Sequence, residues 1–396
     1  MGGQNTRKKR GGSQNTIKYH YTKNDSRDKW IDAVYPYGNS VVAILSQIKW
    51  DSFEYDGPMI IETDIELDDT SPKIYRTNGK SVPAKVPYEV FGGAACELWG
   101  KYFPKVPIHK YVDPTGDIDV HVSSPFIVPE NKTVQKMIDD GGNDAIKPLM
   151  VFEDKFTEYG DAYTKWLFYE IVRLSVELAP SFDGKKFGKF NKNENHETEL
   201  SDLHKHVGNL LITRNISDDK TMIKIQISTK VLPDTVGHIM ELVIDPKGQL
   251  RTSTKFKLNG IFVISIYNLL LGQVRGLRNR NEGIRSTTNS TLSRIENYKG
   301  FYKVENHCAR ILYLAKLHKY LEDKKDLEKS MKPAPISQST ASDIIKNVVK
   351  HGEFCSIHFG EDYIETLIKV FESMSHIREG FYNKNKGKSG NTRRRT

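Results

Sequence analysis

The run Asp117-Ile118-Asp119-Val120-His121-Val122 alternates polar and apolar residues without a break. A period of two belongs to a β-strand with one buried face and one open face. The run therefore predicts a sheet whose apolar side is covered and whose other side carries carboxylates. Residues i and i+2 of a strand point the same way, so Asp117 and Asp119 would project together. Two like charges that close repel unless a cation joins them. An oxygen-only donor pair suits Mg2+ or Mn2+.

Just upstream, Val86-Pro87-Tyr88-Glu89-Val90-Phe91 ends in Gly92-Gly93, and residues 94–103 are helical in composition. A glycine pair where a strand enters a helix lets the backbone approach phosphates and offers helix N-terminal amides as an anion site. Metal and phosphate would then meet at one place. A third carboxylate is available on the strand-like stretch 239–245, from Glu241 or Asp245. The two lie four apart and share a face, so parity does not choose between them. Asp245 precedes Pro246 and suits a turn, which makes Glu241 the preferred ligand.

The other patterns set the organisation. With 396 residues the chain has room for about two packed units, and at 37% hydrophobic and 10% aromatic it is neither a disordered chain nor a membrane protein. Its longest apolar run, 261–271, is broken by Ser265 and Asn268 and falls short of the roughly 18 residues of a spanning helix, so it reads as a core helix. Periodicity predicts helices at 161–178, 253–278, 302–321, 339–350 and 361–377, and strands at 59–65, 207–214, 222–230 and 238–245. The plan is an α/β domain over 27–250, with an insertion at about 125–205, and then an all-α domain over 251–383.

The net charge of +9 sits at the ends. Residues 1–24 carry six basic side chains and no acid, and residues 384–396 another six and no acid, so the body between them is net negative. Such polar, low-complexity stretches (1–26 and 384–396) read as disordered arms that attract polyanions. Met1-Gly2-Gly3-Gln4-Asn5-Thr6 fits the short Met-Gly-x-x-x-Ser/Thr acylation pattern, which chance matches easily, and no secretory signal is expected.

Cys96, Cys308 and Cys355 lie far apart, so no disulfide framework and no cysteine zinc site is expected, and a reducing, non-secreted setting fits. His196, His204 and His206 form a loose cluster in polar surroundings, a poor zinc site. Arg275, Arg278 and Arg280 read as charges closing a helix C-terminus rather than phosphate contacts. Neither a Walker nor a dinucleotide-binding glycine motif occurs.

Phe91-Gly92-Gly93, a helix, Asp117-Ile118-Asp119-Val120 and a later strand carboxylate resemble the signature of the DNA polymerase beta-like nucleotidyltransferase superfamily. The resemblance covers residues 86–280. Within it, the long insertion, the basic arms and His238-Ile239-Met240-Glu241 are most similar to poly(A) polymerase catalytic subunits of large nucleocytoplasmic DNA viruses. One departure is the 24 positions from Gly93 to Asp117, longer than the family's usual gap, which makes the loop 104–115 extra.

The resemblance implies an α/β (α+β) nucleotidyltransferase-like mixed-sheet domain followed by the all-α C-terminal domain. Asp117 and Asp119 would ligate two metals, Mg2+ or Mn2+. Glu241 would hold the one that lowers the pKa of the attacking hydroxyl, and Gly92 and Gly93 would cradle the β- and γ-phosphates. It further implies transfer of AMP from ATP, or of another nucleoside monophosphate, to an RNA 3′ end, in a virion or the host cytoplasm (viral factory). The rival readings are an inactive RNA-binding or assembly subunit of the same fold and a nucleotidyltransferase acting on tRNA or protein. No transmembrane segment is expected, and a homo-oligomer is left open.

Overall fold

The computed structural model describes residues 38–55, 59–62, 74–77, 79–82, 86–106, 117–123, 125–129, 158–182, 202–217, 222–232, 235–245, 256–286, 293–327, 331–351 and 362–374. The two basic arms, the loop 104–115 beyond residue 106, His196, Cys355 and the acylation pattern lie outside the described residues.

Helix α1 (Gly38–Gln47) is followed by the short strands β1 (Met59–Glu62), β2 (Ile74–Thr77) and β3 (Gly79–Val82). Strand β4 (Tyr88–Phe91) passes directly into helix α2 (Gly92–Tyr102). After β5 (Ile118–Ser123) and β6 (Phe126–Pro129) comes the long helix α3 (Glu158–Leu178), closed by a 3-10 turn at Ala179–Phe182. Strands β7 (Leu203–Val207), β8 (Leu210–Ile216), β9 (Ile223–Leu232) and β10 (Thr235–Asp245) then form a meander. The small hairpin β11 (Lys257–Leu258) and β12 (Ile261–Phe262) leads to helices α4 (Ile266–Ser286), α5 (Ser293–Asp323), α6 (Gln338–His351) and α7 (Asp362–Glu372). A mixed sheet with helices, then a run of helices, is the order expected from the sequence.

The central sheet has the order β4-β5-β10-β9-β8-β7. Strands β5 and β10 run parallel, and the other neighbours are antiparallel. The period-two patterns explain its two faces. One face is apolar and buried, with Tyr88 and Val90 on β4, Ile118, Val120 and Val122 on β5, Leu242 and Ile244 on β10, and Ile223, Ile225 and Ile227 on β9. Each such side chain withdrawn from water contributes on the order of 1.5–3 kcal/mol. On α3, Tyr163, Leu167, Ile171, Leu174 and Leu178 recur at three- and four-residue steps and are buried in the same core. The stretch read as an insertion therefore contains a helix that belongs to the core.

Helix α3 is tied to the sheet by a buried cation. Arg214 on β8 is fully buried on the apolar face. Its guanidinium donates to Thr164 Oγ1 at 3.1 and 2.8 Å, to Asp161 Oδ1 at 2.5 Å, and to Asp202. A charge in the core is tolerated only when its donors are satisfied in this way.

The C-terminal helices pack on one another and on α2. Their buried residues are continuous with the sheet's core. Trp99 on α2 donates Nε1 to the Ile264 carbonyl at 2.9 Å, and Tyr363 on α7 donates its hydroxyl to the Cys308 carbonyl on α5 at 2.7 Å. Among the described residues no helix is long and apolar enough to cross a membrane.

Several expectations are corrected. The stretch 253–278 is not one helix. Asn259 at φ +50° and Gly260 at φ +84° turn β11 into β12, two consecutive left-handed residues that make a tight hairpin and postpone the helix to Ile266. The stretch 207–214 is two strands, β7 and β8, joined at Gly208-Asn209. Helix α4 continues to Ser286, so Arg275 and Arg278 are exposed mid-helix residues and not its C-terminal charges. Cys308 is disulfide-bonded while Cys96 is free and buried. Distance along the sequence is no measure of distance in a folded chain.

Candidate active site

The polar face of the central sheet is built by the same alternation that makes the other face apolar. Register pairs Phe91 with Asp119 across β4 and β5, and Asp119 with Glu241 across β5 and β10. Glu241 in turn lies opposite Gln226 on β9. One transverse row therefore carries Phe91, Asp119, Glu241 and Gln226, each about 4.8 Å from the next strand's residue. The next row holds Glu89, His121, Val243 and Lys224.

A bulge makes this face possible. His238 pairs with Ser228, whereas Met240 pairs with Ile227, so Ile239 is the extra residue on β10. His238 sits beside Ser228, its Nδ1 2.9 Å from the serine Oγ. Past the bulge the parity flips, which sends Met240, Leu242 and Ile244 into the core and Glu241 to the polar face.

Gly92 opens α2 at φ +66°, a left-handed conformation that is costly for an L side chain. A Cβ there would also lie 2.6 Å from Asp119 Oδ2. The glycine is required twice, once by the backbone and once by the carboxylate packed against it. Gly93 is buried in the first turn, and Phe91 at the N-cap makes no side-chain hydrogen bond. The phosphate-type anion site expected at this helix start thus abuts the Asp119 carboxylate.

Asp117 stands differently from its expectation. Strand β5 begins at Ile118, and Asp117 is an exposed residue in the bend before it. Strand alternation therefore does not place its side chain beside that of Asp119. Asp245 remains in β10, its backbone opposite Ser123, two residue pairs beyond Val243. The register brings Glu241, and not Asp245, level with Asp119.

Residues not singled out from the sequence complete the face. Glu241 Oε2 accepts from Gln226 Nε2 at 2.8 Å, and Gln226 Oε1 accepts from Asn215 Nδ2 at 3.0 Å. Glu241 Oε1 accepts from Lys224 Nζ at 3.1 Å. The alternation Lys224-Ile225-Gln226-Ile227 was the available signal for these polar partners. Glu89 is buried, and burial pushes its carboxyl up to about 7. His121, opposite it, stacks on Phe91 at 3.8 Å between ring centroids, and burial lowers its pKa.

Among the described residues no three His, Cys, Asp or Glu side chains are gathered to hold a metal ion. His204 and His206 on β7 are both exposed at the surface, and partial desolvation of its ring, then the neighbouring His204, lowers the pKa of His206. The Asp119–Glu241 row nevertheless suits a hard cation in two respects. Its donors are oxygens on adjacent strands in register, and a cation, the Lys224 ammonium, already stands at Glu241 Oε1. Gly92 leaves the space at Asp119 Oδ2 that a side chain would fill.

No family of known proteins matches the chain by sequence, and no curated protein does. Among solved structures, the crystal structure of JHP933 from Helicobacter pylori is similar at 8% identity, covering 77% of this chain and 88% of that one with a TM-score of 0.25. A similarity of that size carries no argument about this chain.

Proposed function

We propose that this chain is a metal-dependent nucleotidyltransferase that adds nucleoside monophosphates, AMP from ATP foremost, to an RNA 3′-hydroxyl. One observation carries the reading: Asp119 and Glu241 share a row of the sheet, and Gly92 at the start of α2 packs against the Asp119 carboxylate, so three separate chain segments meet there. The Phe91-Gly92-Gly93 and Asp117-Ile118-Asp119 motifs that resemble the nucleotidyltransferase signature flank that row.

In this reading the start of α2 receives the phosphates, since Gly92 and Gly93 let the backbone come close and the helix N-terminus favours negative charge. Asp119 and Glu241 are the residues that would hold Mg2+ or Mn2+, with Asp117 in the exposed bend before β5 outside that pair. Such an ion, when bound, neutralises phosphate charge and lowers the pKa of the attacking hydroxyl. Gln226 fixes Glu241 Oε2 so that the carboxylate keeps its orientation. The transfer joins the 3′-oxygen to the α-phosphorus and releases pyrophosphate.

The test offers each labelled nucleoside triphosphate, with Mg2+ or Mn2+, to RNA, DNA and tRNA acceptors. The wild-type chain is expected to extend RNA with adenylate. Asp119→Asn and Glu241→Gln are expected to lose more than about 100-fold in rate, since even indirect metal partners cost 10–100-fold, while unfolding near the wild-type temperature. Transfer that survives Asp119→Asn, or no transfer under any combination, overturns the proposal. The pairing of Glu241 with Lys224 favours one other reading, an RNA-binding subunit whose carboxylate is permanently neutralised. RNA binding without transfer would select it.

A further inference from the structure

The two oxygens of Glu241 are held by partners of opposite character. Oε2 takes the amide of Gln226, which is buried and anchored in turn by Asn215. Neither amide carries charge, and both sit on sheet strands, so this side is a fixed mount. Oε1 takes the ammonium of Lys224, whose side chain is 45% exposed against 23% for Glu241. Lys224 reaches it diagonally, because its own register partner on β10 is Val243.

A half-exposed ion pair between a lysine and a carboxylate is weak, and its flexible four-carbon stem can swing into solvent. We infer that Lys224 is an exchangeable counter-ion that occupies Glu241 Oε1 when no divalent cation is bound and gives up that oxygen to the cation. The inference rests on the proposed metal-dependent reading, and it adds a residue that sets the affinity of the site for its cation. It also assigns the ligand atom. Oε1 is the oxygen that is released, and Oε2 is the one that stays with Gln226.

Lys224 lies in the row next to Glu241, on the strand farther from Asp119. Its departure therefore uncovers the carboxylate without disturbing Gly92 or the start of α2. The cost of displacing the ammonium is subtracted from the binding of any cation at Glu241. Removing the lysine should restore it.

The test is Mn2+ binding to the nucleotide-free full chain, followed by the electron paramagnetic resonance signal of the free ion. The relevant sites are those abolished by Asp119→Asn. Lys224→Met, which keeps the apolar stem, is expected to bind Mn2+ about two- to fivefold more tightly than wild type, the range a surface ion pair can account for. In a Glu241→Gln background the same substitution should change nothing. Asp119-dependent binding that is equal or weaker in Lys224→Met, or a tightening that persists without Glu241, overturns the inference and leaves the proposed function standing. Absence of Asp119-dependent binding in both proteins overturns the two together. Binding seen in Lys224→Met alone supports the inference in its strongest form.

Discussion

Glu89 carries a carboxyl group whose surroundings oppose its charge. It is buried on β4, and burial raises its carboxyl from 4.5 to about 7. Below pH 4.5 the group is protonated in folded and unfolded chains alike and costs nothing. Between pH 4.5 and 7 the unfolded chain ionises first, so stability falls as pH rises, by up to about 3 kcal/mol, and it levels off above pH 7. His121 opposite it acts in the other sense, because a lowered histidine pKa makes stability rise with pH. Glu89→Gln keeps His121 and removes only the first effect. Urea unfolding between pH 4 and 8 should therefore show a difference curve that grows through pH 4.5–7 in favour of the variant. Parallel curves would mean that Glu89 is not ionised at a cost in the folded chain. Only His121, within the alternating run 117–122, was legible as a polar-face position, and the depth of both residues was not.

Among the elements, α3 shows how a helix is locked to a sheet by more than its apolar stripe. Its face of Tyr163, Leu167, Ile171 and Leu174 was readable from spacing alone. The clamp was not, because Asp161, Thr164, Asp202 and Arg214 are scattered over 53 positions and meet only when β8 lies under the helix. Arg214→Ala leaves Thr164 and Asp202 without their cation, while Asp161 keeps Lys165 at 2.6 Å. It is expected to lower stability by about 3 kcal/mol, the low end for breaking a buried pair because Asp161 and Asp202 remain open to water. The unfolding midpoint in urea measures this, and an unchanged midpoint would show that packing alone holds α3. Misread elements have equally local causes. The helix expected over 253–278 gave way to a hairpin because Asn259 and Gly260 both take left-handed backbone angles, a conformation that apolar periodicity does not register.

For the whole molecule, the decisive quantity is where the charge lies. All twelve basic residues of 1–24 and 384–396 are outside a body that is net negative. If RNA is held electrostatically by these ends, deleting both should weaken RNA binding and flatten its salt dependence, by close to one unit of log-log slope for each phosphate no longer neutralised. Turnover at saturating acceptor should change little. A slope that survives both deletions places the acceptor track on the folded body, where Arg275 and Arg278 are exposed along α4.

The sequence by itself determined strands β1, β5, β9 and β10, most of the helices and the glycine turn into the helix at Gly92, because each is written in a local period or a turn residue. Only the tertiary structure decided which residues share a row. Asp119 and Glu241 are 122 positions apart, and parallel pairing of β5 with β10, set by the bulge at Ile239, makes them neighbours. Asp117 moved the other way, from assumed strand partner to an exposed bend. Lys224 and Gln226 became partners of Glu241 because β9 lies beside β10. Strand order and register depend on contacts between distant segments whose apolar faces must be buried together, and no local pattern encodes them.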